Sequence, residues 1–415
     1  MSIFGSVAIK DGANLDAFSR VRTSNPENIF NVQCQYSRAS VQMESGNTGS
    51  GTLPAHDANT RMVALVSTST GTSFMQSFQY IPYQPGKSQE IAVTFVMGAA
   101  VAGATVDIGY FDANNGIIFR QNGTTNLQFI LRTSTSGSVS DANIVAQSAW
   151  NIDKLDGTGA SGLTLDITKA QILFIDLQFL GMGRVRVGFD INGVIYYAHQ
   201  FLNTNNLTVP YMQTATLPVG MLVTTTSGAK TAYFKCAAVH SEGGDATEFG
   251  YMLATPEGVE TAASGASTHL ISIRPKTTYN SITNRQFFEI IDLQIMATGA
   301  NPVYWELVAG ATVASSTWAD VNTTYSGLEY TSVRGSFTNL TNGVVIATGY
   351  ASGAGGGTNA PSFTAQTLPS NLSKKFPISL DRAGAVRNMG TYTLLVSGVG
   401  GASACRASIN YKEIR

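Results

Sequence analysis

The chain has 415 residues, 43% of them hydrophobic and only 12% charged, with 25 Lys+Arg set against 26 Asp+Glu. That much apolar material excludes wholesale disorder and allows more than one core, while 42 Gly and a charged share about half the usual one exclude long solvated helices. Balanced charge without a basic block argues against nucleic acid as a partner, because phosphate neutralisation needs clustered cations. No apolar run approaches a membrane span, and residues 1–30 lack a basic-then-apolar leader, so synthesis in the cytoplasm without membrane insertion is expected.

Residues 1–50 are polar, contain Pro26 and alternate little, and read as an extended N-terminal arm with at most one strand. From 51 to 245 the apolar residues recur with period two: Ile91, Val93, Phe95 and Met97 share one face, as do Leu173, Ile175, Leu177 and Phe179 around Asp176 and Gln178. The sharpest local signal is Arg184–Ile191, then Asn192-Gly193, then Val194–Phe201, a β-hairpin closed by a two-residue type I′ turn. Regular pairing from that turn sets Phe189 opposite Tyr196, Val187 opposite Ala198 and Arg186 opposite His199. Arg184, Arg186, Tyr197 and His199 then share one mixed face, which is either a contact surface or one side of a half-buried sheet.

Gly and Pro concentrate from Ser241 to Gly258 while alternation stops, so 246–264 reads as a linker. Alternation resumes in Phe287–Met296, Val303–Val308, Tyr392–Val396 and Cys405–Tyr411, making 265–415 a second block with a mobile loop at Ala351–Thr358. Many short strands punctuated by turn residues predict an all-β chain: two antiparallel β-sandwiches, jelly-roll-like or concanavalin-like, behind the arm.

Motifs for chemistry mostly fail. Gly86-Lys87-Ser88 lacks the glycine five residues earlier that a phosphate-binding loop needs, since Ile81 stands there, and Gly181-Met-Gly183 lies between two strands. His56, His199, His240 and His269 show no ligand spacing, and Asp112–Gly116 and Asp153–Gly157 break the calcium-loop pattern and read as β-turns. Cys34, Cys236 and Cys405 read as small buried hydrophobes. Glu289 and Asp292 fall on opposite strand faces and Glu306 stands alone, so no carboxylate pair for glycoside cleavage is expected. These readings lead to the expectation of no enzyme, no metal and no cofactor.

The segment Asp16-Ala-Phe-Ser-Arg-Val-Arg-Thr-Ser-Asn-Pro-Glu-Asn-Ile-Phe30 resembles an N-terminal D-A-F-G-R-L-R-V-S-x-P-x-T-L-F signature of structural proteins in tailed-bacteriophage virions, departing from it most notably at Ser19, Thr23 and Asn28. Trp150–Gly157, Gly183–Phe189 with Ile195–His199, Ser241–Gly244, and Ile273–Lys276 with Thr283–Arg285 carry the same resemblance. It implies a virion building block that assembles through its arm: a tail, fibre or adsorption-apparatus protein, with a capsid-surface fibre or decoration protein as the alternative. From another class, a polysaccharide-binding protein or depolymerase is the competing reading. Other virion proteins, copies of itself (a trimer is the expected order) and a host surface glycan are the expected partners.

In the arm, Phe18, Ile29 and Phe30 are apolar anchors, Arg20 and Arg22 share one side of an extended strand, and Pro26 forces an extended or turned backbone. Such an arm either folds on its own domain or is laid on a neighbouring subunit by strand addition.

Overall fold

The computed structural model describes residues 14–23, 25–124, 126–243, 250–313, 317–332, 337–338, 343–354, 362–368 and 372–415. Strand accounts for 53% and helix for 3%, so the fold is all-β, as expected. The described residues form two compact units. One runs to Ser77 and from Tyr83 to Gly243; the other combines Phe78–Pro82 with the residues from Gly250 onward.

The first unit is one antiparallel sheet of 14 strands. They are β1 Glu27–Gln33, β2 Met43–Gly51, β3 Ala55–His56, β4 Val63–Ser77, β5 Gln89–Val96, β6 Ala104–Phe111, β7 Gly116–Asn122, β8 Asn126–Thr133, β9 Ser140–Ala146, β10 Gln171–Leu177, β11 Val185–Ile191, β12 Val194–Phe201, β13 Val219–Thr225 and β14 Lys230–Ser241. Their order is β12-β11-β10-β5-β14-β4-β13-β6-β7-β8-β9, with β1 beside β14 and β2 and β3 beside β4.

The sheet curls until its ends face each other. Phe119 of β7 lies 6.0 Å from Phe95 of β5 and 5.1 Å from Phe189 of β11, while Phe129 of β8 lies 4.6 Å from Trp150. All four phenyl rings are fully buried, each contributing about 1.5–3 kcal/mol of hydrophobic stabilisation. Period-two alternation is the cause: Ile91, Val93 and Phe95 are buried, whereas Ala92 and Thr94 between them are not.

Strands β1 and β2 correct the reading of 1–50 as an arm with at most one strand: β1 pairs with β14 and β2 with β4. The expected linker 246–264 is corrected as well, because Tyr251–Ala254 and Gly258–Ala262 are strands that pair with the last strand, Ser403–Ile414. Residues 246–249 of that linker lie outside the described residues.

The β11–β12 hairpin turns as predicted, with Asn192 at φ 56° and Gly193 at φ 83°. Phe189 faces Tyr196, but the register then slips by one, so Val187 faces His199 and Arg186 faces Gln200. The extra residue is Ala198. Its carbonyl accepts the N–H groups of Ile152 at 3.1 Å and Asp153 at 3.0 Å, from the segment leading into β10. Gly188 sits beside this bulge, where a Cβ would lie 2.2 Å from the Tyr196 carbonyl oxygen.

The second unit is a sandwich of two sheets. In one, Phe287–Ala297 pairs with Ser403–Ile414 and Ser362–Thr367; in the other, Tyr392–Gly398 pairs with Thr268–Pro275 and Val303–Ala309. Phe288, Ile290, Leu293 and Ile409 from the first meet Ile271, Trp305, Leu307 and Leu394 from the second in one core. Of the expected loop Ala351–Thr358, Ala351 closes the strand Val344–Ala351 and residues 355–358 lie outside the described residues.

Candidate functional site

In the first unit, strands β5, β10 and β11 present a row of polar side chains on one face, where the apolar alternation would place solvent. Asp176 of β10 is fully buried there. Its neighbours in register are Glu90 of β5 and Arg186 of β11. What covers them is residues 14–23.

That segment is not extended. Leu15 bridges Val21, Asp16 N–H donates to the Arg20 carbonyl at 2.9 Å, and Arg22 N–H donates to the Asn14 carbonyl at 3.0 Å, closing a tight loop. Asp16 holds the loop from within: its Oδ1 accepts the N–H groups of Phe18 and Arg20 at 2.9 and 2.8 Å, and its Oδ2 accepts Arg20 Nε at 2.7 Å. Ser19, where the resembling signature has Gly, sits at φ 61°, a left-handed conformation that glycine adopts without cost.

Two Arg-Val-Arg triplets meet across this contact. Arg22 reaches down to Asp176 Oδ2 at 2.8 Å and also pairs with Glu90 and Glu242. Arg186 pairs with the same Asp176 oxygen, donates to the Leu15 carbonyl and stacks on Tyr197, with Cζ 4.3 Å from the ring centroid. Arg184 donates to the Ala17 carbonyl at 3.2 Å and to Ser19 Oγ at 3.0 Å. Asp176 further accepts Ser88 Oγ–H at 2.6 Å and the Tyr197 hydroxyl at 3.0 Å, and Ser88 Oγ accepts Ala17 N–H at 3.2 Å. Asp16, Glu90, Asp176 and Glu242 therefore face Arg20, Arg22, Arg184 and Arg186, four charges of each sign.

Burial alone would lower the Arg22 guanidinium, but Asp176 and Glu242 outweigh it and hold it above its ordinary value. Burial, with Asp176, pushes the Tyr197 phenol well up. Chemically, Asp176 spends its acceptor capacity on four donors, Ser88, Tyr197, Arg22 and Arg186. A carboxylate so engaged is a fixed anchor rather than a general base.

The residues expected to form the arm and the contact face have divided fates. Phe18 is half-buried beneath the Arg20 guanidinium, whose Cζ lies 4.6 Å from the ring, and Arg20 is largely exposed. The expectation that Arg20 and Arg22 share one side of an extended strand is corrected, since the loop sends one outward and the other inward. Pro26 is exposed ahead of β1, in which Ile29 and Phe30 are both buried because the register slips between Asn28 and Phe30. Arg184, Arg186 and Tyr197 share the covered face. His199 does not: the Ala198 bulge turns it to the other side, where it packs on Phe201, their ring centroids 4.6 Å apart, and its Nδ1 accepts Asn151 N–H at 3.2 Å. Burial lowers its pKa to about 4.

Sequence reasoning missed Asp16, Ser88, Glu90, Asp176 and Glu242. Ser88 belongs to the rejected phosphate-loop motif, and Asp176 was passed over as the polar partner in an alternating strand. A lone carboxylate inside an apolar run, beside an Arg-Val-Arg strand in a chain with so few charges, was the available signal.

No family model and no curated protein matches the chain. Among solved structures it is similar to the carbohydrate recognition domain of Emp47p, at 9% identity and TM-score 0.34, covering 52% of this chain and 97% of that one. It is also similar to the carbohydrate esterase vb_24B_21 of Shiga toxin-encoding bacteriophage phi24B, at 11% identity and TM-score 0.31, covering 52% and 99%. Bacillus licheniformis beta-glucanase matches at 13% identity and TM-score 0.32, covering 52% and 98%. Identities and scores this low carry no information about activity in this chain.

Proposed function

We propose that the chain is a non-enzymatic structural component of a tailed-bacteriophage virion, a tail, fibre or adsorption-apparatus protein. The observation that carries this reading is the use to which the signature residues are put. Asp16, Arg20 and Arg22, with Arg184 and Arg186 of the motif Gly183–Phe189 and Glu242 of the motif Ser241–Gly244, close a charge network that fastens residues 14–23 onto the first sandwich. The polar face of β5, β10 and β11 is covered by residues 14–23 of the chain itself. A protein built to withstand exposure in a particle gains from such a lock, because detaching the segment would leave buried charges uncompensated.

The test is to purify particles produced by the genome that encodes the chain, identify the chain among their proteins by mass spectrometry, and incubate the purified chain with host envelope polysaccharide. Stoichiometric incorporation without release of reducing sugar ends is expected. Absence from particles, or release of reducing ends, would overturn the reading.

A further inference from the structure

The motif Ile273–Lys276 plays no part in the network of the first unit. In the second unit it forms one wall of an open cleft of about 530 Å³. The cleft is lined by Arg274, Lys276, Thr278, Tyr279, Asp320 and Glu329, among others. Its volume lies within the range of small-molecule sites.

The four charged side chains form two ion pairs. Arg274 Nε lies 2.5 Å from Glu329 Oε1, and Lys276 Nζ lies 3.1 Å from Asp320 Oδ2. Arg274 is also held flat on Trp318, its Cζ 3.9 Å from the ring centroid, and Tyr279 is fixed by its hydroxyl donating to the Thr324 carbonyl at 2.8 Å. The wall is thus rigid, polar and of zero net charge. Both cations keep donor capacity beyond these pairs, since a guanidinium has five N–H donors and an ammonium three.

This balance selects a ligand class. A phosphate or sulfate entering the cleft would come against Asp320 and Glu329; a metal ion would come against Arg274 and Lys276. An apolar ligand would desolvate four charges and return nothing. A neutral, polyhydroxylated molecule can donate to the carboxylates and accept from the cations with the same hydroxyl groups, and the hydroxyl-bearing Thr278 and Tyr279 beside them extend the polar lining. We propose that this cleft binds a neutral oligosaccharide, with Arg274 and Asp320 as its principal hydrogen-bonding residues.

The experiment titrates the full chain with maltohexaose, cellohexaose and chitohexaose by calorimetry and by tryptophan fluorescence. Trp150 and Trp305 are buried and Trp318 is half-buried beneath Arg274 of the cleft wall, so Trp318 is the expected reporter. Sodium phosphate and calcium chloride serve as charged controls. At least one hexasaccharide should bind with a Kd below about 1 mM, and Arg274→Ala and Asp320→Asn should each weaken it roughly tenfold or more. Should Arg274→Ala fail to fold, Asp320→Asn, at a side chain 39% exposed, carries the test alone. The proposal is overturned if none of the three binds, if binding is unchanged in the folded variants, or if phosphate or calcium binds in their place. Each of these outcomes leaves the virion reading untouched.

Discussion

Arg22→Ala is the most informative perturbation of the charge network. The Arg22 side chain is 16% exposed, and the carboxylates it meets, on Glu90, Asp176 and Glu242, are 11%, 0% and 6% exposed. Deleting it leaves those three groups facing one another without the guanidinium they share, while Arg186 still pairs with Asp176. Removing one partner of a buried pair costs about 3–5 kcal/mol, since the other charge stays desolvated and unpaired. The three contacts share one guanidinium and are coupled, so the loss is expected in that range and not at three times it. Denaturant-dependent hydrogen exchange read by mass spectrometry separates the two units, whose unfolding need not coincide. Arg22→Ala should lower the stability of peptides from β5, β10 and β11 by about 3–5 kcal/mol and make the amides of residues 14–23 exchange freely, with peptides of the second unit unchanged. Arg22→Lys keeps the charge but not the fork that spans three carboxylates, and should fall between. Deleting residues 1–30 removes the same guanidinium and part of β1, and is expected to destabilise the first sandwich. If Arg22→Ala unfolds within about 0.5 kcal/mol of the parent chain and residues 14–23 stay protected, the network adds nothing net, and buried ion pairs here merely break even.

Ser19→Gly relieves a left-handed residue but loses the hydroxyl that Arg184 engages; the two effects are each about 1 kcal/mol, so the melting temperature should move by no more than a few degrees, and a large fall would show that the hydroxyl dominates. Gly188→Ala places a Cβ 2.2 Å from the Tyr196 carbonyl oxygen and should cost about 3 kcal/mol, visible in denaturant unfolding; an unshifted midpoint would contradict the bulge. His199 binds its proton only near pH 4 in the folded chain, against 6.5 for the ordinary group, because burial disfavours the charge. Between those values the unfolded chain holds more protons, so the stability this residue contributes is intact above about pH 6.5 and is lost as pH falls toward 4. His199→Gln should flatten that slope in unfolding experiments across the window; an identical slope would place the titration elsewhere.

Much of the architecture was legible because period-two burial is a local property. Ile91, Val93 and Phe95 declare a strand face in any context, and Asn192-Gly193 admits few turns other than type I′. The register beyond that turn was not legible, since the Ala198 bulge is held by N–H groups of Ile152 and Asp153, which come from a distant part of the chain. The same reason hides the network: Arg22 and Asp176 are 154 positions apart, and nothing near either one announces the other. The segment from Tyr251 to Ala262 misled for a different reason. Its Gly and Pro content suits a linker, yet both of its short strands are edge pieces along Ser403–Ile414: Tyr251–Ala254 buries no residue, and the inward positions of Gly258–Ala262 are Gly258, Glu260 and Ala262, so burial alternates there without a large apolar residue to announce it. Of the three cysteines expected to be buried, Cys34 and Cys405 are, whereas Cys236 is only half-buried; burial pushes the Cys405 thiol up to about 11, far from a reactive range.

The central claim is that this chain is a building block of a particle, with residues 14–23 fastened onto its own first sandwich. Electron cryomicroscopy of intact particles tests both halves of it in one map. The account predicts density at a tail, fibre or adsorption-apparatus position into which the two sandwiches fit separately, with residues 14–23 lying over β10 and β11 of the same subunit. A map with no density for the chain would contradict the claim, as would one in which that segment leaves its own sandwich and seats Arg22 in a neighbouring copy.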